Sequence, residues 1–398
     1  MNTYPTLKKL GYTDPGTDHC SARRASPSAV TLPITIGDHP LFYLITPEML
    51  QLTEQVWLNE GRVSRTFAAL PARAREQYNR SLLVGDIVAT NGVENIVSTR
   101  REAYTALTAP GGARVRHASF ASLLSLLLRP NRTPSPSSAP DFTTLTDIRR
   151  IYDRVTTGEI APENQPDGEL FRAGPVGVIS ASQKILHHGF TPEEKIAEAL
   201  QTAINEWLNS SSTRLNAAIV GHLIFEIAHP FYDGNGRTGR YLLTAQLAQA
   251  LSITTALKIS SAILDNRADY YRHFAAVEDP RNYAETTHFI AFFLELVLEA
   301  QESILVELTE NGRVLRDFID DVDVQFPDQT SAAIMRTLAQ NQVFLPEAET
   351  TLDELAHELG VSKATVRGRL EGLLANGVIK FVSHRPIRVV LAGAYARA

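Results

Sequence analysis

The sequence predicts a mainly helical fold with a small β-hairpin flap and a C-terminal winged helix-turn-helix. Long stretches after residue 46 keep apolar residues at helical spacing. A run rich in valine, isoleucine and glycine at 170–189 indicates a hairpin, and residues 351–393 combine two helical runs with two β runs. The expected divisions are an N-terminal segment with short strands (1–45), a helical region (46–139), a core (140–308) and a C-terminal unit (325–398).

Composition is that of an ordinary globular protein, with 44% hydrophobic and 21% charged residues. The net charge of −6 does not attract nucleic acid, so any DNA contact would come from a local patch. Cys20 is the single cysteine, which excludes an intrachain disulfide and fits a reducing compartment. We see no leader peptide, and the most apolar stretch, 121–130, is too short to span a bilayer. We therefore expect a cytoplasmic protein without a membrane partner.

The first elements are predicted to be strands followed by helices. Residues 32–46 predict short strands that turn at Gly37-Asp38. Thr46 can cap a helix whose first residue is Pro47. Further segments follow, with helices expected at 98–110, 117–129, 145–159 and 191–211, two more within 260–308, and a mobile Pro- and Ser-rich loop at 129–141.

A polar cluster, HPFYDGNGRTGR at 229–240, lies between two apolar helical runs at 217–228 and 241–251. The cluster therefore forms a loop that opens a helix. Its glycines allow the backbone to turn sharply and approach a ligand closely. Because a helix N-terminus presents free N–H groups, the loop is suited to bind an anion.

The charged residues of the cluster suit a nucleotide. Arg237 and Arg240 share a helix face, and guanidinium groups grip phosphates bidentately. Asp233 is a hard oxygen ligand of the kind Mg²⁺ prefers. His229 can accept a proton near neutral pH. Together these residues favour attack by a hydroxyl on a phosphate of Mg-ATP.

The cluster resembles the signature of the Fic family, His-x-Phe-x-Asp/Glu-Gly-Asn-Gly-Arg-x-x-Arg, and it matches every fixed position. The resemblance implies a Fic-type helical core that transfers AMP from ATP to a Ser, Thr or Tyr hydroxyl of a protein. It also implies that His229 is the general base, that Asp233 holds Mg²⁺ against the α- and β-phosphates, and that Phe231 anchors the loop in the core. Family members that transfer phosphate carry a lysine inside the glycine loop. This chain has glycine there, which favours nucleotidyl transfer.

The resemblance implies phosphate contacts for the rest of the cluster. Gly234, Asn235 and Gly236 would cradle the phosphates, and Arg237 would bind the same phosphate tail. Arg240 would hold the γ-phosphate.

Residues 90–95, TNGVEN, resemble the inhibitory-helix motif Ser/Thr-x-x-x-Glu-Gly/Asn that accompanies many Fic domains. On a helix expected near 87–100, Thr90 and Glu94 share one face. If this helix docks on the active site, Glu94 can pair with Arg240 and leave ATP in an unproductive pose. The alternative is an exposed glutamate on a surface helix.

The resemblance also places two further features. A β-hairpin flap at 170–189 would align the target segment by backbone pairing, with Val178 and Ile179 as the flap residues. Tyr271 would pack on adenine. Glu278 stands where some relatives carry an asparagine that contacts the base. Tyr271 could otherwise be a core residue.

The C-terminal unit has the pattern of a winged helix. Gly360 can end one helix and Ser362 can cap the next. Lys363, Arg367 and Arg369 lie on or near the exposed face of this second helix, which is the charge placement for DNA contact. Winged helices also mediate protein contacts, so the sequence leaves both partners open.

These inferences predict a self-inhibited protein adenylyltransferase that uses ATP and Mg²⁺. Removal of AMP is a further activity that some relatives possess, and the family resemblance is also compatible with self-modification and a homodimer. The alternative is a DNA-binding transcriptional regulator whose Fic domain senses a nucleotide.

Overall fold

The computed structural model describes residues 4–108, 115–128, 142–179, 185–209 and 213–396. The loop predicted at 129–141 lies outside these residues. The described chain is mainly helical with a few short strands, which confirms the predicted fold class.

The N-terminal segment forms two short helices and a hairpin: α1 (Leu7–Thr13), α2 (His19–Arg24), β1 (Ala29–Ile36) and β2 (His39–Leu44). The strands are antiparallel and turn where the sequence predicts, with Gly37 in the left-handed region at φ 59°. Helices α1 and α2 were not predicted, because distant contacts stabilise them. The backbone N–H of Lys8, for example, donates to Asn282 Oδ1 at 2.9 Å.

Two long helices follow, α3 (Pro47–Ala68) and α4 (Ala72–Val93). Thr46 caps α3 as predicted, since its Oγ1 accepts from the N–H of Met49 at 3.2 Å. The helix predicted near 87–100 is wrong in its second half. The chain leaves the helix after Val93 because Asn95 adopts a left-handed φ of 59° and the N–H of Ile96 turns back to the carbonyl of Asn91.

The central elements carry the polar cluster. They are α5 (Arg100–Thr108), α6 (Ala118–Ser125), α7 (Leu145–Val155), β3 (Gly177–Ile179), β4 (Ile185–His188), α8 (Glu193–Asn209), α9 (Arg214–Ala228) and α10 (Asn235–Ala250). Helices α9 and α10 are almost entirely buried. The loop between them is therefore held from both sides by the core.

Four more helices complete this part: α11 (Ile253–Ala256), α12 (Ile259–Asp265), α13 (Arg267–Glu278) and α14 (Thr287–Gln325). Helix α14 is 39 residues long and α3 packs along it. Gln301 on α14 donates to the carbonyl of Val56 at 3.1 Å and to Glu60 at 2.8 Å.

The C-terminal unit follows the expected order of helix, turn, helix and two antiparallel strands. Its elements are α15 (Gln329–Gln342), β5 (Thr350–Thr351), α16 (Leu352–Leu359), α17 (Lys363–Ala375), β6 (Ile379–His384) and β7 (Ile387–Leu391). The strands form an antiparallel sheet in the order β5-β7-β6. Gly360 ends α16 at φ 62°, and Ser362 Oγ caps α17.

One cluster of buried apolar residues runs from Leu32 to Leu391, so the C-terminal unit packs directly on the rest of the chain. Helix α4, which carries the predicted inhibitory motif, contacts both α10 and α15. No helix in the ranges given above has the length and hydrophobicity that a membrane crossing requires.

Candidate active site

The polar cluster forms the corner between α9 and α10. His229 ends α9 in the left-handed region, at φ 49°, and its N–H donates to the carbonyl of Phe225 at 3.0 Å. Gly234 precedes α10 at φ 83°. A Cβ at Gly234 would lie 2.6 Å from Cγ2 of Thr156, so both the backbone conformation and the space require glycine.

The loop is anchored in the core at Phe231. Its fully buried ring stacks on Tyr152, with ring centroids 3.6 Å apart. Asn235 holds the same residue, because its Oδ1 accepts from the N–H of Phe231 at 2.9 Å and its Nδ2 donates to the carbonyl at 2.7 Å. The side chain of Asn235 is therefore engaged within the loop. Phosphate contacts at this position would be made by backbone N–H groups.

Arg172 is a site residue whose role the sequence did not reveal. Its side chain is completely buried. Its Nε donates to the carbonyl of His229 at 2.8 Å, and its terminal nitrogens donate to the carbonyls of Gly174, Phe190 and Ala228. A buried cation thus ties the hairpin segment to the carbonyl of the predicted base.

Arg237 is buried. It forms an ion pair with Glu159, which also lies 3.0 Å from His117. Its predicted contact with a phosphate tail would require this pair to open, and it stays a prediction.

Arg240 forms hydrogen bonds with two residues of the predicted inhibitory motif. Its Nε donates to Oγ1 of Thr90 at 2.6 Å, and a terminal nitrogen donates to the carbonyl of Thr90 at 2.9 Å. The same nitrogen donates to Oε1 of Glu94 at 2.8 Å. Burial alone would lower the pKa of Arg240, but Glu94, Tyr270 and Glu226 together outweigh burial and raise it. Arg240 therefore stays charged and is already paired within the chain.

The Glu94 carboxylate lies directly over Gly236. A Cβ at Gly236 would collide with this carboxylate and would lie 2.9 Å from a terminal nitrogen of Arg240. Because Gly236 has no Cβ, a phosphate could approach the helix N-terminus at this position. In this structure the carboxylate of Glu94 occupies that space.

Two more acids lie near Arg240, the buried Asp86 and the partly buried Glu226. Burial raises the pKa of Glu226 to about 8, and it raises the pKa of Asp86 to about 7 despite the neighbouring Ser260 and Arg240. One carboxyl oxygen of each has no hydrogen-bond partner within the described chain. No sequence pattern indicated either role, because Glu226 and Asp86 lie inside helices at ordinary helical positions.

A cavity of about 140 Å³ opens beside this arrangement, between the loop and α13. His229, Glu94 and Arg240 line its polar end, while Tyr271 and Phe274 provide apolar surface. The hydroxyl of Tyr271 also lies 3.4 Å from the carbonyl of Val93, so the ring is positioned by the helix that carries Glu94 at its end. The structure thus brings His229, Glu94, Arg240 and Tyr271 together around one cavity.

Asp233 is exposed at the rim of the loop, and its Oδ1 accepts from the N–H of Gly234 at 2.6 Å. Where the chain is described, no group of three metal-ligating side chains is present. Mg²⁺ commonly uses one or two carboxylates together with water and substrate phosphates. A single carboxylate beside a helix N-terminus is therefore a donor set that would suit a magnesium ion bound together with a nucleotide.

The hairpin β3–β4 stands where the flap is predicted. Val178 pairs with His187 and Ile179 pairs with Ile185 across its two antiparallel strands. Glu193, at the start of α8, accepts hydrogen bonds from the N–H groups of Leu170 and Phe171, both at 2.8 Å. The segment before the flap is therefore fixed to the core.

The basic residues of α17 are partly neutralised. Lys363 pairs with Asp353 at 2.8 Å, and Arg369 pairs with Asp328 at 3.2 Å. Arg367 is exposed. The structure thus leaves less free positive charge on this helix than the sequence suggested.

Part of the chain, including the site, matches a known protein family. Residues 142–247, which include the whole cluster, match the family model for Fic/DOC proteins. This part of the chain therefore resembles the Fic/DOC family. The fold agrees, because the crystal structure of a Fic family protein from Desulfovibrio desulfuricans aligns with a TM-score of 0.54 at 22% identity, over 89% of this chain and 99% of that one.

Curated relatives carry names that specify an activity. The chain is 26% identical over 258 residues to a protein adenylyltransferase Fic of Nematostella vectensis, which covers 62% of this chain and 53% of that protein. It is 35% identical over 79 residues to a probable protein adenylyltransferase of Aquifex aeolicus, covering 19% of this chain and 24% of that protein. The chain thus spans about half or less of the length of these relatives.

Proposed function

We propose that this chain is a self-inhibited protein adenylyltransferase of the Fic/DOC family. The observation that carries the proposal is the 2.8 Å ion pair between Glu94 and Arg240, placed directly over the glycine loop. Relatives named as adenylyltransferases support AMP as the transferred group. ATP, a magnesium ion and a protein with a hydroxyl side chain are the partners that the proposal requires.

The chain's own residues supply the proposed chemistry. His229 takes the proton from the target hydroxyl, whose oxygen then bonds to the α-phosphorus of ATP. The bond from that phosphorus to the bridging oxygen breaks, and pyrophosphate leaves. The N–H groups at the start of α10 receive the phosphate charge, and the flap strand holds the target segment by backbone pairing. A magnesium ion held by Asp233 would neutralise phosphate charge.

Glu94 restrains this reaction by occupying Arg240. An arginine that already pairs with a carboxylate cannot grip a terminal phosphate bidentately. ATP then lies with its α-phosphorus out of line with the target hydroxyl. The contact between Glu94 and Gly236 adds a steric barrier to the electrostatic one. Loss of the Glu94 side chain removes both.

The test determines which phosphate of ATP is transferred to protein. The Glu94→Gly variant is incubated with magnesium, cell lysate and ATP labelled in either the α- or the γ-phosphate. Label should appear on protein from α-labelled ATP only. The matched Glu94→Gln variant keeps the size of the side chain but loses its charge, and we expect its activity to lie between wild type and Glu94→Gly.

Transfer of γ-label would show phosphate transfer instead. If Glu94→Gly binds ATP but labels nothing from either position, the nucleotide-sensing alternative, with DNA contact through α17, replaces this proposal. The His229→Ala change in the Glu94→Gly background tests the base, because it should abolish the label while ATP binding persists.

A further inference from the structure

Another cavity, of about 410 Å³, lies beside α4. Its walls come from α4, from the junction of α11 and α12, from α14 and from the segment that follows α15. None of the described residues that line it also lines the cavity at His229. Sites for small molecules usually have volumes of about 300–1,000 Å³, so this cavity is large enough for a small ligand.

Part of the lining is apolar. Leu82, Leu257 and Phe344 line the cavity and are 1–5% exposed. Val314 on α14 extends the same surface. An apolar group of a ligand that packs against these side chains is removed from water, which favours binding.

Two cations line the polar part, and each already faces a carboxylate. Nε of Arg100 donates to Glu347 at 2.7 Å. Lys258 forms an ion pair with Glu307, whose other oxygen accepts a hydrogen bond from the Tyr78 hydroxyl at 2.8 Å. Because these charges are compensated within the chain, the cavity does not favour a ligand that carries charge of a single sign.

Two groups of the lining keep the capacity to bind a ligand. Nη1 of Arg100 donates no hydrogen bond to any residue that the structure describes, whereas Nε and Nη2 of the same side chain do donate. Glu310 is exposed on α14, and within the same described ranges it has no ion-pair partner. The guanidinium can donate to a carboxylate, and the glutamate can accept from an ammonium group.

Gly85 on α4 leaves room inside the cavity. It lies in the interior of the helix, where glycine is the least favourable residue apart from proline. A Cβ at Gly85 would have Nη1 of Arg100 as its nearest neighbour, at 3.8 Å, which is ordinary van der Waals contact. Since packing does not require glycine here, the missing side chain has the effect of keeping the cavity open.

We propose that this cavity binds a free amino acid with an apolar side chain. Its carboxylate contacts Arg100, its ammonium group contacts Glu310, and its side chain packs on Leu82 and Phe344. A zwitterion matches a lining that offers one donor and one acceptor beside an apolar surface. A nucleotide would instead place several negative charges next to Glu307 and Glu310, which is unfavourable.

The bound amino acid stabilises the position of α4, because it contacts α4 and α14 together only when both helices are in place. Since α4 ends next to Glu94, the ligand also strengthens the restraint on Arg240. This consequence rests on the proposed function, whereas binding of the amino acid does not.

The test measures binding of free amino acids to the full chain by isothermal titration calorimetry. The probes are L-valine, L-leucine, L-isoleucine, L-methionine and L-phenylalanine. At least one of them should bind at one site per chain with a Kd below about 1 mM. Two matched ligands each lack one charge: the amide of the best probe has no carboxylate, and its deaminated acid has no ammonium group. Both should bind at least about tenfold more weakly than the parent amino acid.

Variants of the chain locate the site. Glu310→Gln keeps the shape of the side chain but removes its charge, and it should weaken binding of the best probe at least about tenfold. Glu302→Gln, at an exposed position on α14 outside the cavity, is the matched control and should bind like wild type. Gly85→Leu fills the cavity and should abolish binding, while thermal unfolding shows whether this variant is folded.

The proposal is wrong if none of the five probes binds wild type up to about 10 mM, well above the expected Kd. It is also wrong if the amide or the deaminated acid binds as tightly as the parent, or if Glu310→Gln binds like Glu302→Gln. A folded Gly85→Leu that still binds would place the ligand elsewhere, and if this variant does not fold, Glu310→Gln decides alone. None of these readouts depends on AMP transfer, so the outcome is separate from that of the proposed function.

Discussion

At the scale of single residues, the candidate site is dominated by the surroundings of Arg240. This guanidinium is 1% exposed and contacts Thr90 and Glu94, with the carboxyls of Glu226 and Asp86 nearby. A buried arginine with several acids around it does not need all of them ionised. The raised pKa values of Glu226 and Asp86 leave Glu94 as the main counter-ion, so in the proposed function this one residue acts as the switch.

The raised pKa of Glu226 predicts a pH dependence of stability. An unfolded glutamate releases its proton near pH 4.3, whereas the folded protein keeps it up to about pH 8. Between these values the folded state binds the extra proton, so the free energy of unfolding falls as pH rises. Glu226→Gln does not titrate and should show a shallower fall.

Urea denaturation at about pH 5 and about pH 8 measures this difference. Asp86 titrates in both proteins, and its contribution therefore cancels in the comparison. Equal pH dependence in wild type and Glu226→Gln would contradict the assignment of the proton to Glu226.

At the scale of elements, Arg172 connects the flap segment to the corner between α9 and α10. Replacing it by Met keeps an unbranched side chain but removes the donors for the carbonyls of His229, Gly174 and Phe190. Unsatisfied buried acceptors cost about 1–3 kcal/mol each. We expect Arg172→Met to lower the free energy of unfolding by about 3 kcal/mol or more, as measured by urea denaturation.

Arg172→Lys is the control for this prediction, because it keeps the charge and can satisfy part of the acceptor set. It should destabilise the protein less than Arg172→Met. An ordinary substitution lowers the free energy of unfolding by about 1 kcal/mol. If Arg172→Met lowers it by less than that, water replaces the arginine as the hydrogen-bond donor and the prediction is wrong.

The elements also show which features local sequence can predict. The starts of α3 and α17 follow from Thr46 and Ser362, because a cap and its partner lie within three residues. The contact of Arg172 with His229 spans 57 residues of the chain, and that of Arg237 with Glu159 spans 78. Periodicity carries no information at that range, so these two long-range contacts could not be predicted from the sequence, whereas the resemblance did predict that Phe231 anchors the loop in the core.

The pairing of Glu94 with Arg240 spans 146 residues, and only the family motif suggested it. The helix end predicted with this motif is wrong, because α4 ends at Val93 rather than near residue 100. Because Glu94 is the first residue beyond α4, its side chain reaches Arg240 from a helix end rather than from a helix face.

At the scale of the whole molecule, the C-terminal unit contacts the chain on both sides of Glu94. Before it, Arg73 at the start of α4 donates to Asn341 at 2.7 Å and to Glu358 at 3.0 Å. After it, Arg100 donates to Glu347 at 2.7 Å. The position of α4 therefore depends on contacts with α15, α16 and the segment between them.

This arrangement predicts that loosening the contact releases the enzyme in part. Arg73→Ala should raise AMP transfer by about two- to five-fold, which corresponds to about 0.5–1 kcal/mol of lost restraint. In the Glu94→Gly background the same change should have no effect, because no restraint remains. The control Glu76→Gln breaks an ion pair within α4, between Glu76 and Arg80, and should leave the rate unchanged.

Initial rates with labelled ATP measure these effects. An equal increase from Arg73→Ala in both backgrounds would contradict coupling through Glu94. It would show that Arg73 acts on the catalytic site by another route.

In the proposed function, His229 is the general base of AMP transfer and Glu94 restrains this activity. The most direct measurement is the intact mass of wild type, Glu94→Gly and Glu94→Gly/His229→Ala after incubation with ATP and Mg²⁺, with cell lysate present as a source of targets in a parallel labelling. We expect a gain of one AMP, on the protein itself or on a target, with Glu94→Gly alone. A gain already maximal in wild type would contradict restraint by Glu94, and a gain that survives His229→Ala would contradict catalysis by His229.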